Sequence, residues 1–300
     1  MTRSTLLCLV ALVTLVIAGS AHAGGMASAR SVAMGGAHIG LASGIDAARY
    51  NPANLGLANH HQGGLELLGF GANISNNAFS LADYNKYSGA LLTAQDKADI
   101  LAKIPDDGLH LDVDAEASAM AISAGPFVLT ATAVGKADVN LNRDIFDLIL
   151  NGNTYADTIN VTGSYSDVIS YGTVGLSYGM PIYTHGQRQL AIGATAKYVR
   201  GIAIEQVTEL QGMAATYATG FAGDGKAIAR TATGGSGMGL DLGLALKLNN
   251  HYTVGARVEN MVSRIKWDHQ TEERGYIFSF DTMTVANMED DFVTSDDYTK

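Results

Sequence analysis

Few residues in this chain have types and spacing that could do chemistry. Asp112, Asp114 and Glu116 recur at every second position, so on an extended chain their carboxylates share one face. Such a set could draw cations along a wet wall or hold Ca²⁺. The same pattern suits a solvated wall whose charge is offset from other segments by Lys197, Lys247 and Arg257, beside Asp241 and Glu259, and this is the reading adopted. His60-His61 has no carboxylate at ligand spacing and reads as a pair of solvated turn residues. The acid-rich run from Met288 to Asp297 reads as part of a solvated loop. No metal and no cofactor are expected.

Two common catalytic signatures are missing from the sequence: it contains no His-Glu-x-x-His and no phosphate loop ending in Gly-Lys-Ser/Thr. The glycine clusters at 35–44 and 234–243 lack Rossmann spacing and read as places where backbone needs room. Cys8 is the single cysteine and lies in the leader described next, so the mature chain has neither a thiolate nucleophile nor a disulfide framework. The chain is not expected to be an enzyme.

The elements that must position the charged residues begin with an export signal. Arg3 supplies a positive start, Leu6 to Ile17 an apolar run, and Ala21-His22-Ala23 a small-residue cleavage site, which places processing at Ala23–Gly24. The apolar run is short of the roughly 20 residues that a membrane helix needs, and no later stretch supplies them. Charged residues are only 16% of the chain, glycines number 35, and the net charge of −10 excludes a nucleic-acid partner, which needs clustered Lys and Arg.

Strand signals follow residue 63. Leu65 and Leu67 share a face in a first strand over 63–74, Tyr84 to Leu92 is irregular, and Thr93 caps a helix over 94–104. Over 109–123 a strict period of two sets Leu109, Leu111, Val113, Ala115, Ala117, Ala119 and Ala121 against the charged face. A Gly125-Pro126 turn leads into a strand over 127–136. A short amphipathic helix over 142–150 and a polar loop or hairpin over 155–165 follow. Further strands are expected at 170–180, at 189–198 with continuation to about Val207, at 237–249, at 252–262 and at 276–285, with a long loop over 211–236. Leu240, Leu242, Leu244, Leu246 and Leu248 fill one face, with Gly239, Asp241, Gly243, Ala245 and Lys247 on the other. Segments of this length exceed the roughly 5–6 residues of soluble strands and suit the roughly 9–11 that cross a bilayer. A soluble β-sandwich also gives such alternation, because each sheet buries one face.

Residues 30–58 do not read as a strand. Ser43 can cap one helical turn with Asp46 near its start, and Asn51 a second, with Pro52 at its first position and Gly56 just past its end. The run Arg30-x-x-x-Met34-Gly35-Gly36-Ala37, then small residues, then Tyr50-Asn51-Pro52-Ala53-x-Leu55, resembles the amino-terminal region of FadL-like outer-membrane proteins. That group includes fatty-acid-transporter-like, PorV-like and TraF-like relatives. The resemblance covers this stretch, and the rest of the chain agrees by strand pattern. It departs in its acidic residues, since Asp46 stands alone before Asn-Pro-Ala.

The resemblance implies an all-β, antiparallel transmembrane barrel in the bacterial outer membrane. It has a signal peptide at 1–23, a lumen hatch at 24–62 and barrel strands at 63–300. Arg30, Met34, Gly35, Gly36, Asp46, Tyr50, Asn51, Pro52 and Ala53 are the implied hatch or ligand-route residues. The implied function is passage of hydrophobic small molecules across the membrane without catalysis. The alternatives are a PorV-like structural or secretion-machinery component, with machinery proteins as partners, and a soluble envelope β-protein. An eight-stranded lumen is filled by its own side chains, so a hatch demands more strands than this chain supplies. The polar acidic end at 290–300 also lacks a closing strand. The barrel is therefore expected to be incomplete and open, with free edges at 63–74 and 276–285.

Overall fold

The computed structural model describes residues 28–35, 37–58, 63–152, 158–283 and 293–299. The expected signal peptide, Gly36, His60-His61 and half of the 288–297 run lie outside these residues; the other half of that run, expected to be solvated loop, lies in a strand. The elements are helix α1 (Ala29–Ala33), helix α2 (Ile45–Tyr50), a 3₁₀ turn (Pro52–Gly56), strands β1 (Gly64–Glu66) and β2 (Gly69–Asn76), helices α3 (Leu81–Tyr87) and α4 (Ala94–Lys103), strands β3 (Leu109–Ala124) and β4 (Phe127–Leu141), and helix α5 (Arg143–Asn151). Six strands follow: β5 (Thr158–Asn160), β6 (Tyr165–His185), β7 (Arg188–Tyr217), β8 (Gly220–Lys247), β9 (Thr253–Met283) and β10 (Val293–Thr299).

All strands join one antiparallel sheet ordered β1-β3-β4-β6-β7-β8-β9-β10, with β2 also on β3 and β5 on β7. Its described ends do not pair with each other, so the sheet is open. The 63–76 region is an edge as expected. Residues 276–280 are not, because they lie in the far part of β9 and pair with β8 on one side and β10 on the other.

The strands are longer than the pattern predicts. The segment 211–236, expected to be a loop, is ladder almost throughout: β7 and β8 pair continuously out to Tyr217 and Gly220. At roughly 3.3 Å per residue, 30 residues of β7 span about 100 Å. Tyr84 to Leu92, expected to be irregular, begins with the end of helix α3. That helix starts in a capping box, where Ser80 Oγ accepts from Asp83 N and the Asp83 carboxylate accepts from Ser80 N. Helix α4 has the same device at Thr93 and Asp96.

The alternation on β3 also breaks once. A β-bulge between Ser118 and Met120 leaves Ala119 unpaired and reverses the faces. Ala121 therefore lies on the buried side with Ser118, away from the leucine face on which the pattern puts it.

The sheet curves around the N-terminal segment. Small clusters join Ala47, Ala48 and Leu55 to Val128 of β4, and Ala53 and Leu57 to Ala191 of β7 and Ala245 of β8. One short segment reaches strands from β1 to β9 only if the sheet wraps it. The tight turns at 125–126, 186–187 and 248–252 lie at the plugged end. Helices α3, α4 and α5 lie at the other.

Candidate functional site

The plug is held by a local fold that its sequence dictates. Pro52 ends α2 at Tyr50, and Asn51 takes an extended conformation. The Asn51 side chain then caps the 3₁₀ turn by accepting from Ala53 N at 3.1 Å. The start of α2 departs from expectation: its cap is Gly44, at φ 56°, with no side-chain bond, and Ser43 does not serve. Gly56 falls inside the 3₁₀ turn, with Leu57 as its cap. Asn54 ties the segment together, its Nδ2 donating to Ile39 O at 3.0 Å and Ala42 O at 2.9 Å.

The wall is carved to receive this turn. Gly179, Gly193 and Gly243 are direct cross-strand neighbours on β6, β7 and β8. A β-carbon on Gly179 would sit 2.5 Å from Pro52 O, and one on Gly193 or Gly243 would collide with Pro52, Ala53 or Asn51. The row forms a groove for Asn51-Pro52-Ala53. Asn51 Nδ2 also donates to Leu244 O at 3.0 Å, which joins plug to wall across 193 residues of sequence.

Charged groups fasten the other side. Asp241 is fully buried, and its Oδ2 lies 2.8 Å from Lys197 Nζ and 2.6 Å from Arg257 Nη2. A bulge in β9 between Val258 and Val262 puts Asn260 in the left-handed region, φ 52°, and directs its N–H to Asp241 Oδ1 at 2.9 Å. Glu259 lies 3.2 Å from Arg257 and 3.4 Å from Lys197. Arg257 also donates through Nη1 to the carbonyl of Arg49, near the end of α2. Arg49 in turn pairs with Glu66 of β1 through both terminal nitrogens. The plug is thus tied from β1 to β9 through two arginines.

The expected site residues divide sharply. Asn51, Pro52, Ala53 and Tyr50 are buried in the plug, with Tyr50 Oη accepting from Ser28 N at 3.1 Å. Asp46 lies 3.6 Å from Arg49 and 3.7 Å from His38. Arg30 and Met34 are exposed, and Gly35 is an open turn at φ 61°. Lys197, Asp241, Arg257 and Glu259 converge. Lys247 stands apart near the turn into β9, and Asp114 is taken by Lys136 at 3.0 Å. Asp112, Asp114 and Glu116 do not close on one point.

Sequence reasoning misses Arg49, Asn54, Glu66, Asn260 and the glycine row. The row becomes visible only once register is known, although glycine at inward positions of three strands is a trace of it.

Above the plug lies a cavity of about 420 Å³. Ala48 and Arg49 contribute to its wall together with Glu116, Lys136, Lys197 and Glu259, while Ile169 and Tyr171 add apolar surface.

The fold and site define an open antiparallel sheet wrapped around an N-terminal plug. The chain belongs to a family of unknown function, DUF5723, which matches residues 52–227. That span begins inside the plug, at Pro52, and includes Gly179 and Gly193 of its seat. No curated protein and no solved structure matches the chain.

Proposed function

We propose that this protein is a non-catalytic β-barrel component of the outer membrane, with its lumen closed by the N-terminal plug and its long polar strands presented to partner proteins. The observation that carries the reading is the inversion of faces on β8. Leu242, Leu244, Leu246 and Leu248 are 36–46% exposed on the convex side, while Asp241 and Ala245 are fully buried on the concave side. Val174, Leu176 and Ile192 on β6 and β7 are turned outward in the same way. Water would penalise such an arrangement, whereas lipid would reward it.

Passage of hydrophobic small molecules calls for an apolar route beside the hatch. The cavity above the plug instead carries Glu116, Lys136, Lys197 and Glu259, and the plug is clamped on several sides. These features favour the structural reading over transport.

The membrane part is tested by Leu244→Arg against Thr173→Arg, a cavity-wall position. An outward mid-bilayer arginine costs roughly 2–4 kcal/mol, so the first variant should lose membrane-integrated, heat-modifiable protein and the second should keep it. Equal yields would defeat the assigned faces. Ala245 on the same concave face would not serve as the wet control, because it packs against Ala53 and Leu57. Proteoliposomes carrying the wild type should neither swell in small sugars nor take up a long-chain fatty acid. Uptake would restore the transport reading.

A further inference from the structure

A second polar cluster lies on the concave face, at the end away from the plug. Asp112 of β3, Asp138 of β4 and Asp167 of β6 stand directly opposite one another in register. Like charges so placed repel. Asp167 is satisfied by Gln206 Nε2 at 2.9 Å. The other two turn to His110: its Nε2 lies 3.2 Å from Asp112 Oδ2 and 3.6 Å from Asp138 Oδ1. Asp138 Oδ1 is shielded from solvent and accepts no hydrogen bond.

The other imidazole nitrogen is already engaged. His110 Nδ1 lies 3.1 Å from Tyr165 Oη. When Nδ1–H donates to Tyr165 Oη, the Nε2 lone pair of the neutral ring faces two carboxylates. That arrangement is repulsive unless a cation sits between them. An orienting bond on the far nitrogen, with the near nitrogen and carboxylates converging, is the usual construction around a metal-bound histidine.

We propose that His110, Asp112 and Asp138 bind one divalent transition-metal ion of the Zn²⁺ class, with Tyr165 as the positioning residue. The dimensions fit. Tetrahedral bonds of about 2.0–2.1 Å imply ligand atoms about 3.4 Å apart. Two of the distances here are 3.2 and 3.6 Å, and all three ligand atoms lie within 4.8 Å of one another. An imidazole ligand argues for Zn²⁺ over Ca²⁺, which takes oxygen ligands. A bound ion would staple β3 to β4, and through Tyr165 to β6.

The test is calorimetric titration of the full chain in detergent with Zn²⁺ and, separately, Ca²⁺. One Zn²⁺ should bind per chain. Binding should be lost in His110→Ala and in the isosteric Asp138→Asn, fall roughly 10–100-fold in Tyr165→Phe, and be unchanged in the turn variant His185→Ala. Heat-modifiable mobility of each variant confirms folding. No Zn²⁺ binding by the wild type, binding indifferent to Asp138→Asn, or Ca²⁺ bound in its place would overturn the proposal. The first of these outcomes would leave His110 as a protonated bridge between two carboxylates.

Discussion

Near the tight turns, strands β6 to β9 carry leucines outward and glycine, alanine or buried charge inward against the plug. Further along the same strands, from about Ile204 to Tyr217 on β7 and across from it on β8, alanine, glycine, threonine, glutamine and scattered charges are mixed with single apolar residues such as Val207 and Leu210, and no plug lies against them. The first region is stabilised by side chains that interlock across the whole sheet, the second by backbone hydrogen bonds between neighbouring strands. A substitution in the first should therefore be felt from β1 to β9, and one in the second only between two strands.

The largest expected effect is at Asp241. Asp241→Ala leaves Lys197 and Arg257 facing each other with their buried partner removed, a change that costs about 3–5 kcal/mol. Glu209→Ala, which breaks the half-exposed pair with Lys226 in the far region, should cost less than about 1 kcal/mol. Denaturant midpoints of the two variants measure the contrast, and similar losses would abolish the distinction between the regions.

The same contrast explains what was legible. Alternating leucines on β8 and alternating acids on β3 announce their strands because one side meets apolar surroundings and the other does not. From 206 to 236 neither face is apolar, so the period of two carries no signal, and only pairing with a partner strand makes the segment extended. Asn51-Pro52-Ala53 is readable as a capped turn, since caps are local chemistry. Its seat is not, because Gly179, Gly193 and Gly243 meet only through register. The Ser118–Met120 bulge, which turns Ala121 inward, likewise leaves no local mark.

The next effect in size sharpens the comparison with a single methyl group. Gly193→Ala places a β-carbon inside the Pro52–Ala53 backbone, while Gly135→Ala on β4 meets nothing within 4 Å. Overpacking of this kind costs roughly 1–3 kcal/mol. It should also lift the plug, so that trypsin cleaves after Arg49, which is 9% exposed in the wild type. Gly135→Ala should remain uncut there. If both resist equally, the glycine row is not a seat.

The smallest expected effect belongs to the helices at the end away from the plug. Helices α3 and α4 bury only Ile100, and they meet through exposed pairs such as Lys103 with Asp83 at 2.9 Å. Each helix starts in a capping box that requires an ionised aspartate. The Asp83 carboxyl is held well below its usual range, first by the Ser80 N–H and then by Lys103. Asp96 is lowered chiefly by the Thr93 hydroxyl and N–H. A depressed carboxyl stabilises the folded form fully above its unfolded value of 3.8, and the contribution fades as the pH falls from there toward the folded value. Acidification from pH 6 to pH 2 should therefore fray α3 and α4, seen as a modest loss of helical circular dichroism, while the strand signal and heat-modifiable mobility persist. Asp83→Asn with Asp96→Asn should start with the frayed signal and lose the pH dependence. A strand signal that falls together with the helical one would mean that the helical end and the plugged end unfold as a single unit, and the division between the regions would fail.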